Sequence, residues 1–180
     1  MERKELLQKL NLSTFIAFDF ETTGLDSEND KVIEVAAIKF VDGEIENRYV
    51  ELVNPGFKIP HVITEITGIS NSMVISSPSE ELIIDDLLSF ISDYPLVAHN
   101  INFDRKFLLE MCKRLGREYK NNNEYDTLQL ARSVLFEQPV FNLGALSEYF
   151  NLSSKGAHRA ESDTENTGLI FLELLDELAK

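Results

Sequence analysis

The sequence has a single cysteine, Cys112, among 180 residues. One cysteine closes no internal disulfide and builds no cysteine cage for zinc, which excludes both frameworks and suits a reducing compartment. No apolar run approaches the length of a membrane span, and no low-complexity tract or repeat interrupts the chain. Positive charge is scarce: 17 Lys and Arg stand against 31 Asp and Glu, a formal net charge of -14. Phosphate-binding surfaces are normally basic, so this balance predicts a small footprint and a weak grip on long duplexes. The opening Met1-Glu2-Arg3-Lys4-Glu5 is too polar for a secretory signal, and a cytoplasmic protein with no membrane association is expected.

What is present fits one domain with a genuine core over residues 1–180, with residues 1–12 as a helical extension. The hydrophobic fraction of 43% and charged fraction of 27% are those of a globular chain. Thr14 to Glu21 reads as a strand inside a sheet, because its apolar run is nearly continuous. Lys31 to Val41 and Glu44 to Val53 are two further strands joined by the hairpin signal Asp42-Gly43. A turn-rich stretch from Pro55 to Gly68 follows. Helical spacing of Ile83, Leu87, Phe90 and Ile91 predicts a helix after Pro78-Ser79. Leu96-Val97-Ala98 is a short buried strand, and a helix from about Phe103 to Leu115 ends at Gly116. Asp126 and Asn142 open two more helices, and the last runs from about Ala160 to Leu178. An antiparallel three-strand meander followed by alternating helices and strands defines an α/β domain with a mixed central sheet flanked by helices.

Four carboxylates stand in places where charge is unfavourable. Asp19 and Glu21 alternate onto one face of the first strand, and like charges this close on a buried strand call for a cation or a retained proton. Asp104 shares a stripe with Leu108, Met111 and Leu115. Asp163 lies one turn before Thr167, Ile170, Phe171, Leu174 and Leu178 on the inner stripe of the last helix. Taken singly, each acid has an ordinary reading as a helix-start charge or the partner of a buried base. Together they fit the oxygen-ligand demand of Mg²⁺ or Mn²⁺ in a two-metal phosphoryl-transfer site. His158, just before the helix of Asp163, is placed to take a proton from an attacking water.

Three segments carry a resemblance: Asp19-Phe20-Glu21-Thr22-Thr23-Gly24-Leu25, His99-Asn100-Ile101-Asn102-Phe103-Asp104, and His158-Arg159-Ala160-Glu161-Ser162-Asp163. In that order and at those internal spacings, the chain resembles the DnaQ-like family of 3′-5′ exonucleases in its histidine-containing (DEDDh) branch, on a ribonuclease H-like fold. The other branch has tyrosine four positions before the last aspartate, where this chain has Arg159. The resemblance implies two divalent ions, Mg²⁺ or Mn²⁺, held by Asp19, Glu21, Asp104 and Asp163, with His158 activating water. It also implies release of nucleoside 5′-monophosphates from a free 3′ end. By similarity Thr22, Gly24 and Leu25 contact the terminal nucleotide, Asn100 and Phe103 line its pocket, and Thr67 in Ile66-Thr67-Gly68-Ile69 belongs to a loop near the terminal base. Leu25 and Phe103 are equally compatible with ordinary core packing.

Single-stranded or frayed DNA, in proofreading or repair, is the expected substrate. RNA trimming is the alternative, since no motif reports on the sugar 2′ position. A catalytically idle docking module for a polymerase or helicase is a second alternative, whose signature would be the loss of a ligand or of the histidine. A polymerase or helicase, as partner or as fused domain, is the expected source of processivity.

Other features read as structural. Asp126 caps a helix, His99 is either a support for the metal ligands or the end of its strand, and Asp26 to Asp30 is a solvated turn. In the cluster Arg105, Lys106, Lys113, Arg114, Arg117 and Lys120, Lys106 lies about 200° around the helix from Asp104. That angle predicts a solvated face or partner surface.

Overall fold

The computed structural model describes residues 2–120, 123–153 and 158–180. Five strands form one sheet in the order β3-β2-β1-β4-β5: β1 Thr14–Thr22, β2 Val32–Val41, β3 Glu44–Leu52, β4 Leu96–Ala98 and β5 Glu124–Asp126. β1, β2 and β3 pair antiparallel, and β4 and β5 add parallel strands. The expected meander and mixed sheet are therefore present, with β1 at the centre. The hairpin turns at Asp42 and Gly43, whose φ values of 51° and 90° are those of a two-residue turn with positive φ at both positions.

Side-chain alternation along β1 sorts the core into two layers. Ile16, Phe18 and Phe20 pack with Ile83 and Leu87 of α4 (Glu80–Ile91) and with Phe107, Leu108 and Met111 of α5 (Ile101–Leu115). Phe15 and Ala17 face the other way, towards Phe171, Leu172 and Leu175 of α8 (Ala160–Leu178) and Leu7 of α1 (Arg3–Lys9). By the same parity Asp19 and Glu21 lie on the α8 face. β2 continues the pattern, with Ala36 opposite Asp19 and Glu34 opposite Glu21.

α8 lies very close to β2, because a Cβ at Gly168 would collide with the Phe40 ring. The close contact fixes the height of the helix over the sheet, and with it Asp163 in the first turn. Ile170, Phe171 and Leu174 are fully buried as their stripe predicts, whereas Leu178 is 61% exposed. Leu178 is the last residue of α8, where the stripe emerges into solvent. The expected N-terminal extension is α1, tied back to α8 by Arg3 with Glu173 and Asp176 at 2.7 and 2.8 Å.

Asp126 caps α6 (Thr127–Val134) by accepting from the Leu128 amide, and Asn142 caps α7 (Leu143–Tyr149) by accepting from the Ala145 amide. Three short elements add to the expected set: α2 (His61–Thr67), α3 (Asn71–Val74) and β5. Among the described residues no helix is long and apolar enough to cross a membrane.

Candidate active site

The acids meet where β1 outruns its neighbour β4. The parallel ladder pairs Ile16 with Leu96 and Ala17 with Val97, and pairing between the two strands stops there. The crevice beyond the carboxyl ends of parallel strands is the usual location of ligands in α/β sheets. On the other side, the register slips between Glu21 and Thr22, which face Glu34 and Val32, so β2 carries one extra residue. Such bulges commonly sit at the rim of active sites.

Asp19 and Glu21 project from this end of β1 towards α8, which brings Asp163. One carboxylate oxygen from each of the three lies within 4.8 Å of the others. Asp104 arrives from the opposite layer. It is 2% exposed, and its Oδ1 accepts from the Phe20 amide at 3.0 Å. The reason is geometric: the Ile16 amide on the same edge donates to Pro95, while Phe20 lies past the end of the β1–β4 ladder, so on this edge no β4 residue pairs with it. Of the four expected ligands, three therefore form one tight group, and Asp104 sits beside them against the β1 backbone.

The electrostatics fit a cation. Burial, and then the charges of Asp163 and Glu34, push the Asp19 carboxyl up to about 7. Burial, and then Asp19, Asp163 and Glu34, push Glu21 up to about 9 against the pull of Arg159. Burial and the Asp19 charge raise Asp104, opposed by its bond from Phe20. Burial raises Asp163, opposed by the His158 amide. Four oxygen-donor side chains whose ionised forms are each disfavoured suit a hard divalent ion, which stabilises all of the ionised forms together.

His158 is exposed, has φ 64°, and donates its backbone N–H to Asp163 Oδ2 at 3.1 Å. A positive φ at a non-glycine residue is an uncommon, mildly strained state that recurs at functional sites. Glu34 and Arg159 belong to the same neighbourhood and were missed. The sequence does carry a signal for Glu34, the one acid within Val32-Ile33-Glu34-Val35-Ala36-Ala37-Ile38, an apolar run like the one that carries Asp19 and Glu21 in β1.

The residues expected at the substrate divide into two groups. Leu25 is 87% exposed, which excludes the core reading for it. It lines a shallow cavity of about 200 Å³ with Asn100, Phe103 and Lys106. Thr22 donates to the Gly24 carbonyl at 2.6 Å, and a Cβ at Gly24 would collide with the Asp30 carboxylate. Asp30 also accepts from the Thr23 hydroxyl at 2.8 Å and the Asp26 amide at 3.0 Å, so the turn is a bonded support under Leu25. Thr67 is buried, and its hydroxyl bonds to the Ile63 carbonyl and the Ile69 amide. It shapes its loop, and no described contact joins it to the carboxylates.

Lys106 is exposed, as the helical-wheel reading expects. It does point away from Asp104, but it stands three residues from Phe103 and therefore faces the same cavity. Arg105, Arg114 and Arg117 are instead held by Glu124, Glu80 and Asp85. His99 bonds Thr127 through Nδ1 at 2.9 Å, and burial lowers its pKa; it ties the end of β4 to α6 and is absent from the acid group. Asp126 accepts from the Asn100 amide at 3.0 Å in addition to capping α6.

A mixed sheet with carboxylates from its central strand and from helices on both faces has the form of a ribonuclease H-like hydrolase domain. The comparisons agree with this class. The exonuclease family profile RNase T matches residues 16–171. DNA polymerase III subunit epsilon of Aquifex aeolicus is 35% identical over 97% of this chain and 88% of the relative. A DNA polymerase III PolC-type from Caldanaerobacter subterraneus is 38% identical over 91% of this chain, and the 3′-5′ exonuclease DinG of Bacillus subtilis is 36% identical over 94%. The chain spans only 12% and 18% of the lengths of those two relatives. Among solved structures, exonuclease X bound to 5′-overhanging duplex DNA superposes with a TM-score of 0.72 at 25% identity, over 92% of this chain and 93% of that one. Exonuclease I of E. coli with a dT13 oligonucleotide gives a TM-score of 0.82 at 18% identity, over 93% of this chain and 42% of that one, a likeness of fold. The chain belongs to the exonuclease family, hydrolases that cut phosphodiester bonds.

Proposed function

We propose that this chain removes nucleotides from the 3′ end of a DNA strand, single-stranded or frayed, releasing nucleoside 5′-monophosphates in proofreading or repair. The observation that carries this reading is the convergence of Asp19, Glu21 and Asp163 within 4.8 Å at the open end of β1. The relatives named for DNA polymerase III, together with the exonuclease X complex, support DNA as the substrate.

Asp19, Glu21, Asp163 and Asp104 would hold two divalent ions, Mg²⁺ or Mn²⁺. When bound, such ions supply charge for the scissile phosphate and lower the pKa of water. The chain's own residues do the rest. His158 is exposed one turn before Asp163 and accepts the proton of the attacking water. Leu25 and Phe103 offer apolar surface to the terminal bases, and Asn100, Thr22 and Gly24 fix the backbone around them. Lys106 forms no ion pair among the described residues, and it is the cation facing the strand. A polymerase or helicase, as partner or as fused domain, supplies the grip that a net charge of -14 does not. Buried, unpaired Cys112 accords with work in the cytoplasm.

The test uses 5′-labelled DNA and RNA strands with Mg²⁺, Mn²⁺ or chelator, and Asp19→Ala as control. DNA should shorten stepwise from its 3′ end in the presence of metal only. Preferential shortening of RNA would move the assignment to a ribonuclease, and shortening of neither would overturn it.

A further inference from the structure

Glu34 is 1% exposed and faces the metal-binding acids across the β1–β2 ladder, opposite Glu21. It is near enough for its charge to act on Asp19, Glu21 and Asp163. By position it is a fifth acid of the cluster, yet both of its oxygens are engaged elsewhere. Arg159 Nε lies 3.2 and 3.1 Å from them, a second guanidinium nitrogen bonds Oε1, and the Ala160 amide donates to Oε2 at 2.9 Å.

These bonds sit at one mechanical point. Arg159 is the residue immediately before α8 and gives that helix no side-chain cap of its own; the first-turn amide is capped from β2 by Glu34. His158, at φ 64°, precedes this point by one residue, and Asp163 follows it by one turn. A bidentate guanidinium–carboxylate fork fixes orientation as well as distance, which a lysine cannot reproduce.

We propose that the Arg159–Glu34 clamp is a positioning device for the reaction. It sets His158 and Asp163 against the Asp19 and Glu21 carboxylates, and it keeps Glu34 out of the ligand set. The inference rests on the metal-dependent exonuclease reading, and its metal-binding arm can be read without activity.

Arg159→Lys, Arg159→Met and Arg159→Met/Glu34→Gln are compared with the wild type in three measurements. These are Mn²⁺ binding by titration calorimetry, kcat and KM on a 5′-labelled DNA strand, and Tm. A displacement of about 1 Å costs on the order of 100-fold in rate. Arg159→Lys should therefore lose about 10- to 100-fold in kcat with KM within about twofold. Arg159→Met should lose more and bind Mn²⁺ with altered affinity or stoichiometry, because a fifth carboxylate is released. Adding Glu34→Gln should return Mn²⁺ binding to the wild-type value and recover part of kcat.

The clamp is overturned if both Arg159 variants keep wild-type kcat. It is also overturned if the double variant binds Mn²⁺ like Arg159→Met, or if activity falls only in proportion to unfolded protein as judged by Tm. A wild type that binds Mn²⁺ but degrades no strand defeats the exonuclease reading instead, and the Mn²⁺ comparison still decides whether Arg159 withholds Glu34.

Discussion

Replacing Glu21 with glutamine asks whether the buried acids exist to hold cations. In the metal-free protein Glu21 is raised by burial and by its acidic neighbours from 4.5 to about 9. A folded-state pKa above the unfolded one means that the folded protein binds the extra proton between those values. The stability this group contributes is therefore complete below about 4.5 and is lost as pH rises through about 9. Glutamine carries no such proton, so metal-free Glu21→Gln should lose less stability across that window than the wild type. A divalent ion acts in the opposite sense, since its ligands must be ionised and binding strengthens as pH rises.

At 100 times its dissociation constant, a ligand specific for the folded state adds about 2.7 kcal/mol. For a chain of this length each kcal/mol moves Tm by about 2–4 °C. Mn²⁺ should thus raise the wild-type Tm by about 5–11 °C. The gain should be larger in mildly alkaline than in mildly acidic buffer, and less than half as large in Glu21→Gln. Scanning calorimetry of both proteins with chelator or Mn²⁺, in each buffer, reads these differences. An equal gain in the two proteins, or a wild-type gain that shrinks as pH rises, would refute the reasoning.

Three other outcomes follow from particular contacts. His158→Ala should keep the Mn²⁺-induced rise in Tm and lose about 10²- to 10⁴-fold in kcat, as removal of a general base does; unchanged turnover would remove it from that role. Lys106→Ala should raise KM with kcat unchanged and flatten the salt dependence of binding to a single strand by about 0.7 in log–log slope. An identical slope would return Lys106 to a solvated face. Gly168→Ala must displace the buried Phe40 ring, and overpacking of this kind costs about 1–3 kcal/mol, measurable by denaturant unfolding.

Much of this was legible in the sequence because the signals were local. β1 and the β2–β3 hairpin announce themselves through an apolar run and Asp42-Gly43, and the helix caps at Asp126 and Asn142 are chemical punctuation that the structure uses as such. α2 and β5 were missed because seven and three residues give too little periodicity to read. The inward faces of Asp19, Asp104 and Asp163 were readable, but not the layer each came from. Only the sheet shows that α5 and α8 lie on opposite sides, which is why Asp104 reaches the β1 backbone while the other three acids converge. The Glu34–Arg159 contact spans 125 residues, and no local pattern reports a bond of that range. Lys106 points away from Asp104, as its angle around the helix predicts, and only the folded chain shows that it also lines a cavity with Leu25, Asn100 and Phe103.

Asp19, Glu21, Asp104 and Asp163 are proposed to hold metal for cleavage at a 3′ end. The direct measurement is single-nucleotide resolution of a 5′-labelled DNA strand incubated with the purified protein and Mn²⁺, beside Asp19→Ala and a chelator control. A ladder that shortens one nucleotide at a time from the 3′ end, absent in both controls, is the predicted result. Cleavage that persists in chelator or in Asp19→Ala, or a strand left at full length by the wild type, would contradict it.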